Sequence, residues 1–340
     1  MPTIKDIAAS AGVCPSTVSK ALRGSTDIQP ETISRIRLIA EQMGYDLSRL
    51  NSKVTNSKTV GVVFVELNSE YYSNIFNNFK QFMESAGYRV ITIITDFRSV
   101  EKQQDAIEYL LSCRVSGILY LTEAAFNIEK LRERISSCGT GFVMITRMSC
   151  IDFCDIISVN HALGARMAVE HLYGLGHRRI AFIGEPNTHA REDAFRDTIK
   201  ELGITPDEDY IIVRNERNCT GGYEATKELL RKTAGKRPTA IFAAYDQLAY
   251  GVMRAVREAG LRIPEDISII GVDNNQVSDY ITPALTSIET TADEVGKIAG
   301  EMLLSRIQGD TSPYQMVYLS PKLCLRDSCL PTNTAEEDAQ

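Results

Sequence analysis

The run from Thr3 to Tyr45, TIKDIAASAGVCPSTVSKALRGSTDIQPETISRIRLIAEQMGY, constrains this chain most, because its apolar residues form three short helical stripes. Ile4, Ile7, Ala8 and Ala11, then Val18, Ala21 and Leu22, then Ile33, Ile36, Ile39, Ala40 and Met43 recur at steps of three and four. One buried face per helix requires that spacing, so three helices sharing a small core are expected. Thr3 and Asp6 stand at capping-box distance, Gly12 ends the first helix, and Pro15 suits the first turn of the second. Two helices parted by about three residues match the DNA-reading helix-turn-helix. The second helix is then expected to turn Val18, Ala21 and Leu22 inward. Pro15, Ser16, Thr17, Ser19 and Lys20 would face outward as a short polar surface able to enter a major groove. Periodicity alone also fits a three-helix cap on an enzyme.

Charge is divided in a way that favours the first reading. The chain carries a net −7, which taken whole argues against a nucleic-acid binder. Up to Lys58, however, eight bases face five acids, a net of +3, and the remainder is −10. A basic head on an acidic body concentrates phosphate attraction at the reading helix and limits adhesion elsewhere. Such a modest charge binds DNA weakly, so two paired heads are expected. No apolar run approaches a membrane span, and MPTIKD carries no basic-then-apolar leader, so a cytoplasmic location is expected. The eight cysteines are scattered, and CIDFC (Cys150 to Cys154) has no neighbouring His/Cys cluster, so reduced thiols and no metal are expected.

From Thr59 onward, apolar β-type runs alternate with helical patterns: VGVVFV, YRVITIITD, VSGILYLT and FVMIT, then RIAFIGE, YIIVR, TAIFAAYD and ISIIGVD. Strands buried on both faces and separated by helices make parallel sheets, here enough for two doubly wound lobes. Ligands of such sheets sit beyond the carboxyl ends of the strands. The residues to inspect there are Tyr71 and Tyr72, Thr146 and Arg147, Glu185 to Arg191, Tyr245 and Asp246, and Asp273 and Asn274. No GxGxxG follows a strand, and GxxxxGK[ST], GxSxG and HExxH are absent, so neither a nucleotide cofactor nor catalysis is indicated.

The head string closely resembles that of the lactose-repressor family, in which TIKDIA, AGV, STVS, AL and a closing GY occur in this order. The body is similar to the same family through EHLYGLGHRRIAFIGEP, RPTAIFAAYDQLAYGVMRAVREAGLRIPEDISIIGVDN and PALTSIE, so the likeness runs from Thr3 to about Arg326. The resemblance implies a small all-α helix-turn-helix head on an α/β body of two doubly wound lobes like a periplasmic sugar-binding protein. It divides the chain into a head (1–45), a hinge (46–58), a first lobe (59–158 and 290–318), a second lobe (159–289 and 319–330) and a disordered acidic tail (331–340). The function it implies is a transcription regulator, without enzyme activity or cofactor, whose hold on a palindromic operator is set by a small carbohydrate-type effector. The rival class is a sugar-transport or sensing protein, which would share the body and lack the head.

Carried over residue by residue, the resemblance places Pro15, Ser16 and Lys20 at base edges and Thr17 and Ser19 at phosphates, with Thr3 also on the DNA side. Cys14 stands where serine normally caps the second helix, at an expected cost of about 1 kcal/mol. In the hinge, DLSRLNSKVTNSK, the residue wedged into a central base step is Val54, with Leu50 as the alternative. In the body, Arg191, four before Phe195, and Asp273 at the end of ISIIGVD are expected to grip ligand hydroxyls. Tyr71 and Tyr72 would supply an aromatic face, Arg147 and Arg217 further cations, and Tyr245 and Asp246 the end of another strand. Thr146 replaces a frequent aspartate, and Val159 that of a common Asp-Asn pair, leaving Asn160. Three arginines without those aspartates point to an anionic sugar acid or sugar phosphate; arginines salt-bridged around a neutral sugar fit equally well. A homodimer is expected, because the tail TNTAEEDAQ lacks the heptads of tetrameric members. Docking of a phosphocarrier protein on the body is the remaining partner the family admits.

Overall fold

The computed structural model describes residues 3–22, 28–45, 58–66, 69–96, 99–122, 128–147 and 151–332. The hinge short of Lys58, including Leu50 and Val54, and the tail from residue 333 lie outside the described residues.

The head contains helices α1 (Ile4–Ala11), α2 (Pro15–Leu22) and α3 (Pro30–Gln42). Ile7, Ala8, Ala11, Val18, Ala21, Leu22, Ile36 and Ala40 are buried in one cluster, with Ile4, Ile33, Ile39 and Met43 packed on its edge. The Thr3 hydroxyl accepts from Asp6 N while the Asp6 carboxylate accepts from Thr3 N at 2.7 Å, closing a capping box. Gly12 takes φ +65, a left-handed conformation that side chains disfavour, and this lets the chain turn between α1 and α2.

The body builds two six-stranded sheets. The first contains β1 (Thr59–Phe64), β2 (Arg89–Ile94), β3 (Gly117–Leu121), β4 (Gly141–Ile145), β5 (Asp155–Val159) and β11 (Met316–Leu319) in the order β11-β5-β4-β3-β1-β2, parallel throughout. Val60, Val62 and Phe64 turn to one face, against α4 (Glu70–Ser85) and α11 (Ala292–Ile307). Val63, Ile118 and Tyr120 turn to the other, against α5 (Val100–Ser112) and α6 (Ile128–Cys138). Cover on both faces explains why these strands read as unbroken apolar runs.

The second sheet contains β6 (Ile180–Gly184), β7 (Ile211–Val213), β8 (Ala240–Ala243), β9 (Ser268–Val272), β10 (Thr286–Glu289) and β12 (Lys322–Cys324), in the order β12-β10-β9-β8-β6-β7. Only β12 runs antiparallel, against β10. Around it lie α7 (His161–Gly174), α8 (His189–Glu201), α9 (Cys219–Lys232) and α10 (Asp246–Glu258), whose apolar faces join one core with its strands.

The chain passes between the sheets three times: after β5, after β10 and between β11 and β12. The returning helix α11 is fixed to the first sheet by a buried fork, with Arg306 Nε 2.6 Å and Nη2 2.8 Å from the two oxygens of Asp155. Strand carboxyl ends of both sheets are thereby brought to one cleft.

Candidate functional site

In the head, α2 presents Pro15, Ser16 and Lys20 exposed and Thr17 and Ser19 half-buried, with Val18, Ala21 and Leu22 inside. This is the inward and outward division that the residue pattern predicts. Thr3 is exposed and spends its polar groups on the capping box. Cys14 does more than a poor cap would: its Sγ lies 2.9 Å from Ser16 Oγ and 3.0 Å from Thr17 Oγ1, and its carbonyl accepts from the amides of Thr17 and Val18. Those hydroxyl contacts draw the thiol down to about 7.

The cleft is built from loops that follow strands. Ser69, Tyr71, Tyr72 and Arg147 come from the first lobe; His161, Arg191, Arg217, Tyr245 and Asp273 meet them from the second. A connected outer compartment of about 190 Å³ adds Glu66, Asn218, Gln247 and Asn275. Tyr245 is its central surface. The Arg191 guanidinium lies 4.7 Å and that of Arg217 4.8 Å from the Tyr245 ring centre, and the Tyr245 hydroxyl donates to Glu185 Oε1 at 3.1 Å. Tyr71 and Tyr72 meet edge to face at 5.2 Å; Tyr72 is buried and Tyr71 half-buried.

Contacts among the described residues clasp the lobes across the cleft. Arg147 Nη1 donates to the Asn187 carbonyl, Gln276 N donates to Glu70 Oε1 at 2.8 Å, and Arg217 Nη1 stands 3.7 Å from Glu66 Oε1. Arg217 Nε is also 3.7 Å from the buried Glu185, so two carboxylates answer its charge.

Asp246 is placed differently from the expectation. It is fully buried beneath the cleft, accepting from Asn275 N at 2.8 Å, Ser278 Oγ at 2.8 Å and Ser287 Oγ at 2.6 Å. It faces no ligand space; it holds the loop that carries Asp273 and Asn275. The reason is local: as the first residue of α10, its side chain turns back under the helix toward β9, where Gly271 leaves room that a Cβ would close.

The Asn160 position also resolves differently. Asn160 caps α7, accepting from Leu163 N at 2.9 Å, and His161 takes the place in the cleft. His161 Nδ1 accepts from Arg191 Nη2 at 3.0 Å. Burial, with the positive charges of Arg191 and Arg147, holds its imidazole well below the usual range, so it is neutral. Thr146 and Val159 are buried, Val159 within β5. Sequence reading thus missed His161, Glu66, Ser69, Asn218, Gln247 and Asn275 as cleft residues. Glu66 was within reach of the rule about strand ends, since it closely follows VGVVF.

A helix-turn-helix head joined to a two-lobed body with a polar, aromatic interlobe cleft defines a ligand-responsive DNA-binding regulator. Residues 3–47 match the bacterial regulatory proteins of the lacI family, and residues 169–329 match a periplasmic binding protein-like domain. The chain is 32% identical over 336 residues to the HTH-type transcriptional repressor PurR of Edwardsiella ictaluri, covering 96% of this chain and 97% of that protein. It is similar to the lac repressor dimer bound to operator and the anti-inducer ONPF (TM-score 0.72, 26% identity, 97% of this chain and 99% of that one). It also resembles a LacI family transcriptional regulator from Enterococcus faecium with bound ribose (TM-score 0.69, 28% identity, 81% and 100%). The chain belongs to the lacI family of bacterial regulatory proteins. It is therefore a DNA-binding transcription regulator and not an enzyme or a transport protein. Among the described residues no helix is long and apolar enough to cross a membrane, and no cluster could hold a metal ion.

Proposed function

We propose that this chain represses transcription as a dimer, with two heads on a near-palindromic operator and a small carbohydrate-type molecule between the lobes setting its affinity. The observation that carries this reading is the joining, in one chain, of an α2 face bearing Pro15, Ser16 and Lys20 to a cleft lined by Tyr245, Arg191 and Asp273. The cleft suits a sugar because arginine forks and carboxylates match hydroxyl groups while the tyrosine faces take the apolar side of a ring. A space of about 190 Å³ limits the occupant to a small molecule. The LacI family transcriptional regulator from Enterococcus faecium with bound ribose supports the same class. A ligand that favours one lobe angle by a few kcal/mol is enough to change the DNA-competent population.

The test is capture of genomic fragments by the purified protein, followed by sequencing. One enriched palindrome supports the reading; diffuse, salt-sensitive retention without a preferred site refutes operator recognition. On the enriched site, Lys20→Ala is expected to cost about 1–3 kcal/mol, since a lysine at a base edge gives up its donor hydrogen bonds. Fluorescence anisotropy at fixed salt reads this as a loss of about fivefold to 150-fold, with specificity relaxed at one position of each half-site.

Dimerisation through the first lobe is supported by β2, an edge strand of the first sheet whose Ile91 and Ile94 are exposed, as is Tyr109 on α5. Exposed apolar edges invite cover by a second chain. Ile94→Asp is expected to convert the dimer to a monomer in sedimentation velocity and to weaken operator binding with it. A dimeric Ile94→Asp protein would remove this face from the interface.

A further inference from the structure

We infer that Arg217 is an internal occupant of the effector cleft: its guanidinium ties the two lobes together, and an effector reaches the inner compartment by displacing it. This rests on the reading of the cleft as the effector site and adds how that site is held and opened.

Arg217 belongs to the second lobe, in the stretch between β7 and α9, yet its guanidinium is answered from both lobes. On the first-lobe side Glu66 stands 3.7 Å from Nη1, and on the second-lobe side Glu185 stands 3.7 Å from Nε. The central carbon of the guanidinium also lies 6.0 Å from the ring centre of Tyr72, in the first lobe, and 4.8 Å from that of Tyr245, in the second. Aromatic faces and carboxylates both attract a guanidinium, and each lobe supplies one of each. Parting the lobes takes Arg217 away from Glu66 and Tyr72 together. A contact made in one lobe arrangement and lost in another shifts the balance between them.

The same side chain fills space that a ligand needs. Arg217 lines both compartments, and the inner one leaves about 10 Å³, room for about one water molecule. A sugar ring cannot enter beside it. Of the two guanidinium groups at Tyr245, that of Arg191 is buried and anchored by the Ala244 carbonyl and His161 Nδ1, each at 3.0 Å. The Arg217 side chain, in contrast, is 21% exposed. Its backbone is pinned on both sides: the Arg214 amide donates to the Gly184 carbonyl at 3.0 Å, and the Asn218 side chain accepts from Gly221 N at 3.1 Å. A Cβ on Gly221 would strike the Glu216 carbonyl, so the loop is also packed tightly on α9. The part that moves is therefore the side chain and not the loop. A ligand that takes its place must offer hydrogen-bond donors to Glu66, as the hydroxyl groups of a sugar do.

The experiment is hydrogen–deuterium exchange of the full-length protein, without effector or DNA, in the wild type, Arg217→Ala, Glu66→Gln and the double variant. Segments 69–72 and 273–276 meet across the cleft, where the Gln276 amide is bonded to Glu70. Arg217→Ala is expected to speed exchange in both segments by about fivefold to thirtyfold, the combined worth of a cation–π contact and a partly buried ion pair. Strands β3 and β8, inside the two sheets, keep wild-type rates. Glu66→Gln, a change in the other lobe, shifts the same two segments in the same direction by a smaller factor. In the double variant it adds little to Arg217→Ala, because both remove one contact. Where Arg217→Ala fails to fold by circular dichroism, Glu66→Gln alone decides. Wild-type rates across the cleft in the folded variants overturn the inference. Exchange that quickens throughout the second lobe and not in segment 69–72 also overturns it, since Arg217 would then only support the packing of its own lobe. Neither operator nor effector enters the measurement, so its failure leaves the carbohydrate reading standing, and failure of fragment capture leaves the clasp standing.

Discussion

Gly251→Val will leave the second lobe unfolded, and Gly251→Ala will lower its stability by roughly 3 kcal/mol or more, at the upper end of overpacking costs. Helices α9 and α10 approach each other through facing glycines. A Cβ on Gly251 would collide with the carbonyl oxygen of Cys219 and stand 2.6 Å from Tyr223 N, and one on Gly222 would collide with the Leu248 carbonyl. These obstacles are backbone atoms within helices, so no rotamer change relieves them; the helices must part. Parting them opens the core that Ala225, Leu229, Leu248 and Val252 share. Scanning calorimetry should show the alanine variant melting about 10 °C lower, given the usual conversion for a body of this size. Gly235→Ala is the control, because nothing lies within 4 Å of its Cβ position. An unchanged melting temperature for Gly251→Ala would show that α9 and α10 do not pack this closely.

The elements were legible because their signals are local. Steps of three and four from Ile4 to Met43 fix the head's buried faces, and runs such as VGVVFV and ISIIGVD have no polar face to leave outside. The strand-end rule also found Arg191, Tyr245 and Asp273, all of which line the cleft. What it could not supply is direction. Tyr245 and Asp246 are adjacent, yet one faces the cleft and the other lies beneath it, because a strand handing over to a helix turns successive side chains to opposite sides. His161 stayed hidden for a related reason. Its role depends on Arg191 arriving 30 residues later in the chain, a contact that no spacing rule encodes. The charge of Arg217 was visible but its answer was not: Glu66 and Glu185 reach it only once the two sheets share a cleft.

Asp246→Ala will destabilise the second lobe by about 3 kcal/mol and weaken effector binding, although Asp246 touches no ligand. Hydrogen bonds to a buried carboxylate contribute about 1.5–3 kcal/mol each, and its removal orphans the Asn275 amide, which cannot turn elsewhere as a serine hydroxyl can. The loop so released carries Asp273, held at φ +107, a backbone conformation that non-glycine residues seldom keep without support. The pH dependence separates this role from simple packing. Burial, helped by the charge of Asp273 and opposed by the hydrogen bonds from Ser287, Asn275 and Ser278, pushes Asp246 from 3.8 up to about 7. A serine can accommodate the added proton, for Ser278 Oγ lies 2.9 Å from the Tyr250 hydroxyl and can turn its hydrogen there. Between pH 4 and pH 7 the folded chain then holds a proton that the unfolded chain has released. The stability Asp246 contributes is accordingly full below about pH 4 and is lost as pH rises toward 7. Urea melts of the wild type and Asp246→Asn across this range provide the check. The difference in stability between them should drift with pH in that direction and level off above 7; a difference that stays flat from pH 4 to 8 would mean that Asp246 is ionised throughout and acts as a permanent carboxylate anchor.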